Sequence, residues 1–270
     1  MELKEQFAMV IDMTRCVGCR GCQVACKQWN ERPAEETTFF GGPGYQNPAD
    51  LSAKTWTLVK FTEVDDPQGF DWVFTKTQCR HCLEPACVQI CPVQAATKTD
   101  TGAVVVDKDV CIGCMSCSTV CPFNTPRYDA DAGNKMNKCW MCFDRLSAGE
   151  EPACVKACKT DAIVFGRRDD IISEAEDRLY KNPELYIPKI YGKSEVGGTS
   201  VMYISNIPFE TLGFDTSLPT EPTKIARAEI APTFKEFVAM AGTGPAVFVL
   251  GVGWVIRRRM EAEAISERNA

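Results

Sequence analysis

The residues with the most chemistry in this chain are its 16 cysteines, which fall into four quartets. The clearest is CIGCMSCSTVCP, Cys111 to Pro122, with the spacing C-x2-C-x2-C-x3-C-P. In a run of this kind three thiolates hold one [4Fe–4S] cube and the fourth reaches a neighbouring one. A cube needs four soft, anionic ligands, and thiolate is the protein group that fits. Two residues between cysteines let a tight loop wrap one face of the cube. The fourth cysteine is expected to start a helix and point away, and the proline after it stops regular structure.

The quartets are Cys16, Cys19, Cys22, Cys26; Cys79, Cys82, Cys87, Cys91; Cys111, Cys114, Cys117, Cys121; and Cys139, Cys142, Cys154, Cys158, with no cysteine left over. Two other uses of cysteine compete. A disulfide scaffold belongs to small secreted domains with a higher cysteine fraction, and two-residue spacing disfavours local bridging. Zinc also takes four cysteines, but zinc ribbons lack the C-x2-C-x2-C triplet of the first and third quartets. The fourth quartet, taken alone, suits zinc as well.

The elements that must position these ligands are short. Phe7 to Ile11 reads as a strand delivering the chain to the first quartet, and Gln23 to Trp29 as one or two helical turns. Glu31 to Asp50 is a loop; its GGPG, Gly41 to Gly44, lacks the helix start and Lys-Ser/Thr of a phosphate cradle. Trp56 to Phe61 and Trp72 to Thr77 read as strands around a turn at Asp65 to Gly69, a β-hairpin. Val104 to Val106 and Ala162 to Phe165 are further short strands. Asp170 to Tyr180 has helical periodicity, with Ile171, Ile172, Ala175 and Leu179 on one side.

The second and third quartets are 32 residues apart, Cys79 to Cys111, and both end in Cys-Pro. This internal repeat makes one two-cluster unit of the bacterial ferredoxin type, leaving the outer quartets to pair with each other. The ligand sets expected are then Cys79, Cys82, Cys87 with Cys121; Cys111, Cys114, Cys117 with Cys91; Cys16, Cys19, Cys22 with Cys158; and Cys139, Cys142, Cys154 with Cys26. The first quartet departs from the strict run, since Lys27 follows Cys26. His81 is the only histidine, which excludes a Rieske centre, and it reads as an outer-sphere or surface residue. Lys27, Arg80, Lys138 and Lys156 neighbour ligands in sequence without a specific role.

The formal charge is −6 over 270 residues, and each oxidised cube with its thiolates adds roughly −2, so nucleic acid is not an expected partner. The thiols must be reduced when clusters are installed, which points to cytoplasmic assembly. The N-terminus lacks the signal-peptide pattern. Phe237 to Ile256 is 20 uncharged residues followed by Arg257, Arg258 and Arg259, with Trp254 near the edge, and reads as a membrane span. Its glycines offer close helix contacts and Pro245 a kink. The arginines are expected on the cytoplasmic side of the inner membrane. The cluster domain is then periplasmic, exported folded with a partner bearing a twin-arginine signal. The opposite orientation makes it cytoplasmic.

The expected fold is therefore α+β: tandem bacterial-ferredoxin-like cluster-binding units with a β-hairpin insertion, an irregular extension and one C-terminal transmembrane helix. The expected divisions are residues 1–170 for the four clusters, 171–233 as an extension contacting partner subunits, 234–257 as the transmembrane helix and 258–270 as a short tail.

Four further stretches are not required by ligand spacing alone: CVGCRGCQVACKQWN (Cys16 to Asn30), YQNPADLSAKTWTLVKFTE (Tyr45 to Glu63), DRLSAGEEPACVKAC (Asp144 to Cys158) and EVGGTSVMYIS (Glu195 to Ser205). With them the chain resembles the iron–sulfur (β) subunit of membrane-bound respiratory formate dehydrogenase, among the four-cluster electron-transfer subunits of molybdopterin oxidoreductases. Lys159 departs from the proline usual after the last cysteine. The resemblance implies four [4Fe–4S] clusters and a catalytic α subunit with a molybdenum or tungsten pterin site. It also implies a membrane γ subunit with haem b and a quinone site. The chain itself has no nucleophile, base or pterin motif. The competing readings are the electron-transfer subunit of a membrane-bound [NiFe] hydrogenase, that of another molybdopterin reductase, and a zinc-stabilised interaction module without redox chemistry.

Overall fold

A computed structural model of the chain describes residues 6–38, 45–66, 69–223, Trp254 and Arg257. In chain order the elements are β1 (Phe7–Asp12), α1 (Gly21–Trp29), β2 (Leu58–Asp66), β3 (Gly69–Thr77), α2 (Ala86–Gln89), β4 (Ala96–Lys98), β5 (Val104–Val106) and α3 (Ser116–Thr119). They continue with β6 (Arg127–Tyr128), β7 (Met136–Asn137), α4 (Phe143–Ser147), α5 (Ala153–Lys156), β8 (Ile163–Arg167), α6 (Arg168–Lys181) and β9 (Val201–Ile204). The content is mixed α and β, with one three-stranded sheet in the order β8-β1-β9 and three two-stranded pairs.

β1 is the middle strand, antiparallel to β8 and parallel to β9, with Met9 opposite both Phe165 and Val201. Side chains alternate across a strand, so β1 feeds two cores. Met9 and Ile11 pack towards the cysteine-bearing loops with Val59, Tyr191, Tyr203 and Phe214. Ala8 and Val10 pack on Ile171 and Ala175 of α6, with Met202 and Ile204 of β9. That double burial explains why FAMVID is almost wholly apolar. The helix expected over Asp170 to Tyr180 is α6, and Ile171 and Ala175 are its buried residues.

Asp12 ends β1 inside the protein, fully buried. Its carboxylate accepts from Arg178 Nη1 at 2.9 Å, Tyr186 Oη at 2.8 Å and Thr14 Oγ1 at 2.6 Å. One side chain thus fastens the strand to α6 and to the segment beyond it.

Three expectations are corrected. The hairpin is longer than Trp56 to Phe61 and Trp72 to Thr77: Asp65 pairs with Phe70 and Asp66 with Gly69, so the acidic residues extend the strands. Trp56 precedes the hairpin and is buried against Cys26, Cys79 and Cys139. The fourth cysteine of a quartet does not start a helix. Cys87, Cys117 and Cys154 lie within α2, α3 and α5, and Cys91, Cys121 and Cys158 follow those turns; α1 carries both Cys22 and Cys26. The helical turn belongs to the third cysteine because the C-x3-C interval is about one turn long.

Within residues 171–233, expected as an irregular extension, the described part after α6 supplies β9 to the sheet. It also adds Tyr191, Phe209, Leu212 and Phe214 to the core around the cysteine loops. Gly192 makes this return possible. It has φ +94°, and a Cβ there would lie 2.6 Å from Thr199 Oγ1 and 2.9 Å from the Val201 carbonyl oxygen. Gly192→Ala is expected to cost about 1–3 kcal/mol, from positive φ and a backbone clash together. Urea unfolding of the cluster-loaded protein measures it.

Tyr191 is also buried, and its hydroxyl donates to the Asp215 carbonyl at 2.9 Å. Burial pushes its phenol up to about 12 from the ordinary 10. The folded state holds this proton more tightly than the unfolded chain. The contribution is therefore intact below pH 10 and lost as pH rises towards 12. Thermal midpoints between those values should fall less steeply in Tyr191→Phe than in the parent.

The span expected at Phe237 to Ile256, apart from Trp254, lies outside the described residues, as do the tail and Gly41 to Gly44. Among the described residues no helix is long and apolar enough to cross a membrane.

Candidate functional site

All 16 cysteines are described and none is in a disulfide. Among the described residues no three His, Cys, Asp or Glu side chains converge as the ligands of a single metal ion would. The sulfur-bearing loops owe their shape to residues in the left-handed region: Gly18 and Arg20 in the first quartet, His81 in the second, Gly113 and Met115 in the third, and Met141 and Cys142 in the fourth. Gly18, at φ +66°, has no room for a side chain, since a Cβ would lie 2.8 Å from the Phe74 ring. The non-glycine members of this set are strained. Spacing did not reveal them, because the strain is imposed by packing around the loops.

The stretches between the quartets brace the loops. Gln23, between Cys22 and Cys26, donates to the Asn47 carbonyl at 3.1 Å and accepts from the Val59 amide at 3.4 Å. It joins α1 to both the NPADLSAKTW stretch and the hairpin. From that stretch, Asp50 pairs with Arg127 at 2.6 Å, and the Leu51 carbonyl accepts from Arg127 Nε at 2.8 Å. EVGGTSVMYIS clamps the second quartet. The Leu83 amide donates to the Gly198 carbonyl, and the Ser200 and Val201 amides donate to the Arg80 carbonyl. In DRLSAGEEPACVKAC, Arg145 pairs with Glu150 at 2.6 Å, and its guanidinium lies 4.3 Å from the Trp29 ring centre. Trp29 Nε1 in turn donates to Asp144 at 2.8 Å.

Sulfurs from different quartets are neighbours. The Cys16 thiol, raised chiefly by burial, also feels Cys158 and Cys19. Cys26 is raised first by burial and next by Cys139, Cys154 and Cys142. Cys82, again mainly through burial, feels Cys79, Cys121 and Cys87. Cys91 lines one cavity with Cys87, Cys111, Cys114 and Cys117. Burial holds Cys22, Cys87 and Cys139 up at about 12 and Cys142 at about 11. Such thiols stay protonated at neutral pH unless a metal replaces the proton.

The surroundings suit an anionic cofactor. Hydroxyl and amide groups reach sulfur: Tyr128 Oη to Cys117 at 2.9 Å, Ser116 Oγ to Cys114 at 3.4 Å, and Thr125 Oγ1 to Cys121 at 3.5 Å. The Met141 amide reaches Cys139 at 3.4 Å. Lys76, Arg80 and Lys138 are buried, and none has a carboxylate partner among the described residues. Arg80 instead sits over aromatic rings, 4.0 Å from the centre of Tyr203 and 4.9 Å from that of Phe214. Its Nε and Nη1, and Nε2 of His81, are buried without a hydrogen-bond partner among the described residues. His81 is fully buried and its Nδ1 accepts from the Val104 amide at 2.9 Å. Burial holds it neutral. Buried cations without counter-charge are costly. An iron–sulfur cube with four thiolates supplies that charge, so the residues fit the group.

Sulfur loops on short helical turns, linked by short antiparallel strands, define a ferredoxin-like [4Fe–4S] protein. Residues 70–168 match the family described as "4Fe-4S dicluster domain". The formate dehydrogenase iron–sulfur subunit of Haemophilus influenzae is 41% identical over 209 residues, covering 74% of this chain and 65% of that protein. The formate dehydrogenase-O iron–sulfur subunit of Escherichia coli is 40% identical over 211 residues, 75% of this chain and 68% of that one. This chain belongs to the family of formate dehydrogenase iron–sulfur subunits and carries [4Fe–4S] clusters. The hydrogenase-2 operon protein HybA of E. coli O157:H7 is less similar, 33% identical over 236 residues, 76% of this chain and 72% of that protein. The chain spans less than two thirds of some relatives: 65% of the Haemophilus protein and 59% of a Nitratidesulfovibrio vulgaris protein that is 40% identical to it over 223 residues, 81% of this chain.

Proposed function

We propose that this chain is the electron-transfer subunit of a formate dehydrogenase complex. Electrons pass along four [4Fe–4S] clusters from a molybdopterin-containing catalytic subunit (molybdenum or tungsten) to a membrane subunit with haem b and a quinone site. The proposed ligand sets are Cys16, Cys19, Cys22, Cys158; Cys26, Cys139, Cys142, Cys154; Cys79, Cys82, Cys87, Cys121; and Cys91, Cys111, Cys114, Cys117. When bound, the cubes supply one-electron carriers whose potentials follow charge, hydrogen bonds to sulfur and solvent exposure.

The observation that carries this reading is the chain of sulfur neighbours running from set to set. Cys22 and Cys154 share one buried cluster, Cys79 and Cys139 share another, and Cys87 lines the cavity of Cys91, Cys111, Cys114 and Cys117. On the proposed ligands these links order the sets by their first members: Cys16, Cys26, Cys79, Cys91. The chain's residues then do three things: grip iron, exclude water, and hold cations and hydrogen-bond donors beside sulfur. The names of the relatives at 40–41% identity support formate as the donor substrate of the complex. Hydrogen fits less well, given the lower identity of the hydrogenase-operon relative.

Anchoring in the inner membrane by Phe237 to Ile256, with a periplasmic cluster domain, rests on the uncharged run and the arginines after it. Contacts of residues 171–233 with partner subunits are supported by Tyr180 and Leu185, which are 86% and 43% exposed.

Purifying the native membrane complex and adding formate tests the proposal by EPR. Reduction of clusters in a chain holding about 16 iron atoms is the expected result. Reduction by hydrogen but not by formate selects the hydrogenase reading. About four zinc atoms and no reversible bleaching selects the zinc module.

A further inference from the structure

We infer that Lys76 is the shared counter-cation of two neighbouring cubes, those of the Cys16 and Cys26 ligand sets, and that its charge raises the reduction potentials of both. The inference rests on the ligand sets proposed above. Lys76 lies on β3, opposite Val59 of β2, so the two side chains share one face of the hairpin. Val59 belongs to the buried cluster that contains Cys22 and Cys154. The Val59 amide is held by Gln23, the residue after Cys22 and three before Cys26. The hairpin register therefore delivers Lys76 to the side of α1 that carries sulfurs of both sets.

The side chain is 1% exposed, and its ammonium donates to Thr57 Oγ1 at 3.2 Å. The sulfurs it feels include Cys154, Cys22, Cys139 and Cys26, and it acts on Cys16 as well. Two of these belong to the first set and three to the second. An ammonium enclosed in this way, with no carboxylate partner among the described residues, requires compensating negative charge close by. Arg80 differs, since it feels Cys79, Cys82 and Cys121 of one set. Lys138 acts on Cys87 of that set, and its ammonium also donates to the Cys139 carbonyl at 3.0 Å, away from the Cys16 set. A cation beside a cube favours the reduced, more negative state, so its removal lowers the potential. One cation between two cubes ties their potentials together.

The test is an EPR redox titration of the purified, cluster-loaded complex carrying Lys76→Met or Lys76→Arg. Ligand variants of the exposed Cys19, of Cys139 and of Cys121, one from each of three sets, assign the signals. Lys76→Met is expected to lower the reduced-to-oxidised ratio of both named cubes at least tenfold at fixed ambient potential, about 59 mV for a one-electron couple. The other two should move less than threefold. Lys76→Arg keeps the charge and should leave both named cubes within threefold. A shift in one cube alone, an equal shift in all four, or no shift overturns the inference. If Lys76→Met loads no iron, Lys76→Arg decides. Full iron content with both named cubes within threefold of the parent sustains the inference, and a larger shift of either overturns it. Failure of the ligand reading is seen separately, in the parent protein, as about eight iron atoms per chain, or as Cys19 and Cys121 variants perturbing the wrong signals.

Discussion

Replacing Cys121 by serine should abolish or reshape the cube held by Cys79, Cys82 and Cys87 and leave the cube of Cys111, Cys114 and Cys117 with its parental signal. Cys121 belongs in sequence to the third quartet, so a reading by proximity along the chain expects the opposite. The turn α3 ends at Thr119, and Cys121 follows it at the far side. There Cys79 is the charge its thiol feels most. Cys82 and Cys87 feel Cys121 in turn. Thr125 Oγ1, 3.5 Å away, and the backbone at Thr125 and Phe123 hold the sulfur in this position. Serine offers a hard oxygen in place of a soft thiolate, which weakens the iron site or alters its potential. EPR of the loaded complex, with iron counted per chain, measures the effect. A perturbation confined to the third quartet's cube removes the exchange of fourth cysteines between quartets.

Asp12→Ala should destabilise the cluster-loaded protein by about 3–5 kcal/mol while leaving the cluster potentials in place. The carboxylate is fully buried and is the partner of Arg178 at 2.9 Å, and Arg178 is 11% exposed. Deleting one member of such a pair leaves a nearly buried charge behind, and Tyr186 and Thr14 lose their acceptor too. Glu174 also contacts Arg178 at 2.9 Å but is half exposed, so it offsets part of the cost and favours the lower end of the range. Asp12→Asn keeps the shape and should cost less, about 1.5–3 kcal/mol, the worth of hydrogen bonds to a charged group. Urea midpoints of the two variants measure this. A loss below 1 kcal/mol for Asp12→Ala would mean that Arg178 reaches water or Glu174 fully.

Much of the local structure was legible. Phe7 to Ile11, Val104 to Val106 and the helix around Ile171 and Ala175 follow from periodicity, since each buries one face or one run against a neighbour. The hairpin was legible in kind but not in length, because Asp65 and Asp66 look like turn residues and yet pair in the strands. His81 was read as an outer-sphere or surface residue; its full burial and its bond to the Val104 amide depend on a strand 23 residues away. Nothing in the sequence marks Lys76, since a lysine in an alternating strand normally faces water. Asp12 carries no signal either, because nothing near it in sequence announces Arg178, 166 residues on.

By itself the order of residues determined the kind of protein: sixteen thiols, their spacing and the repeat of 32 residues define ligands for iron–sulfur cubes. These are short-range properties, each quartet lying within 20 residues of chain and the repeat within 32. Only the tertiary structure decided that Val201 to Ile204 closes the sheet beside β1, and that Lys76 and Arg80 are sealed among sulfur and aromatic rings. It likewise decided which loop residues are forced into left-handed backbone. Those outcomes depend on which distant surfaces exclude water from one another, and a buried charge is tolerated only where the assembled surroundings supply its opposite.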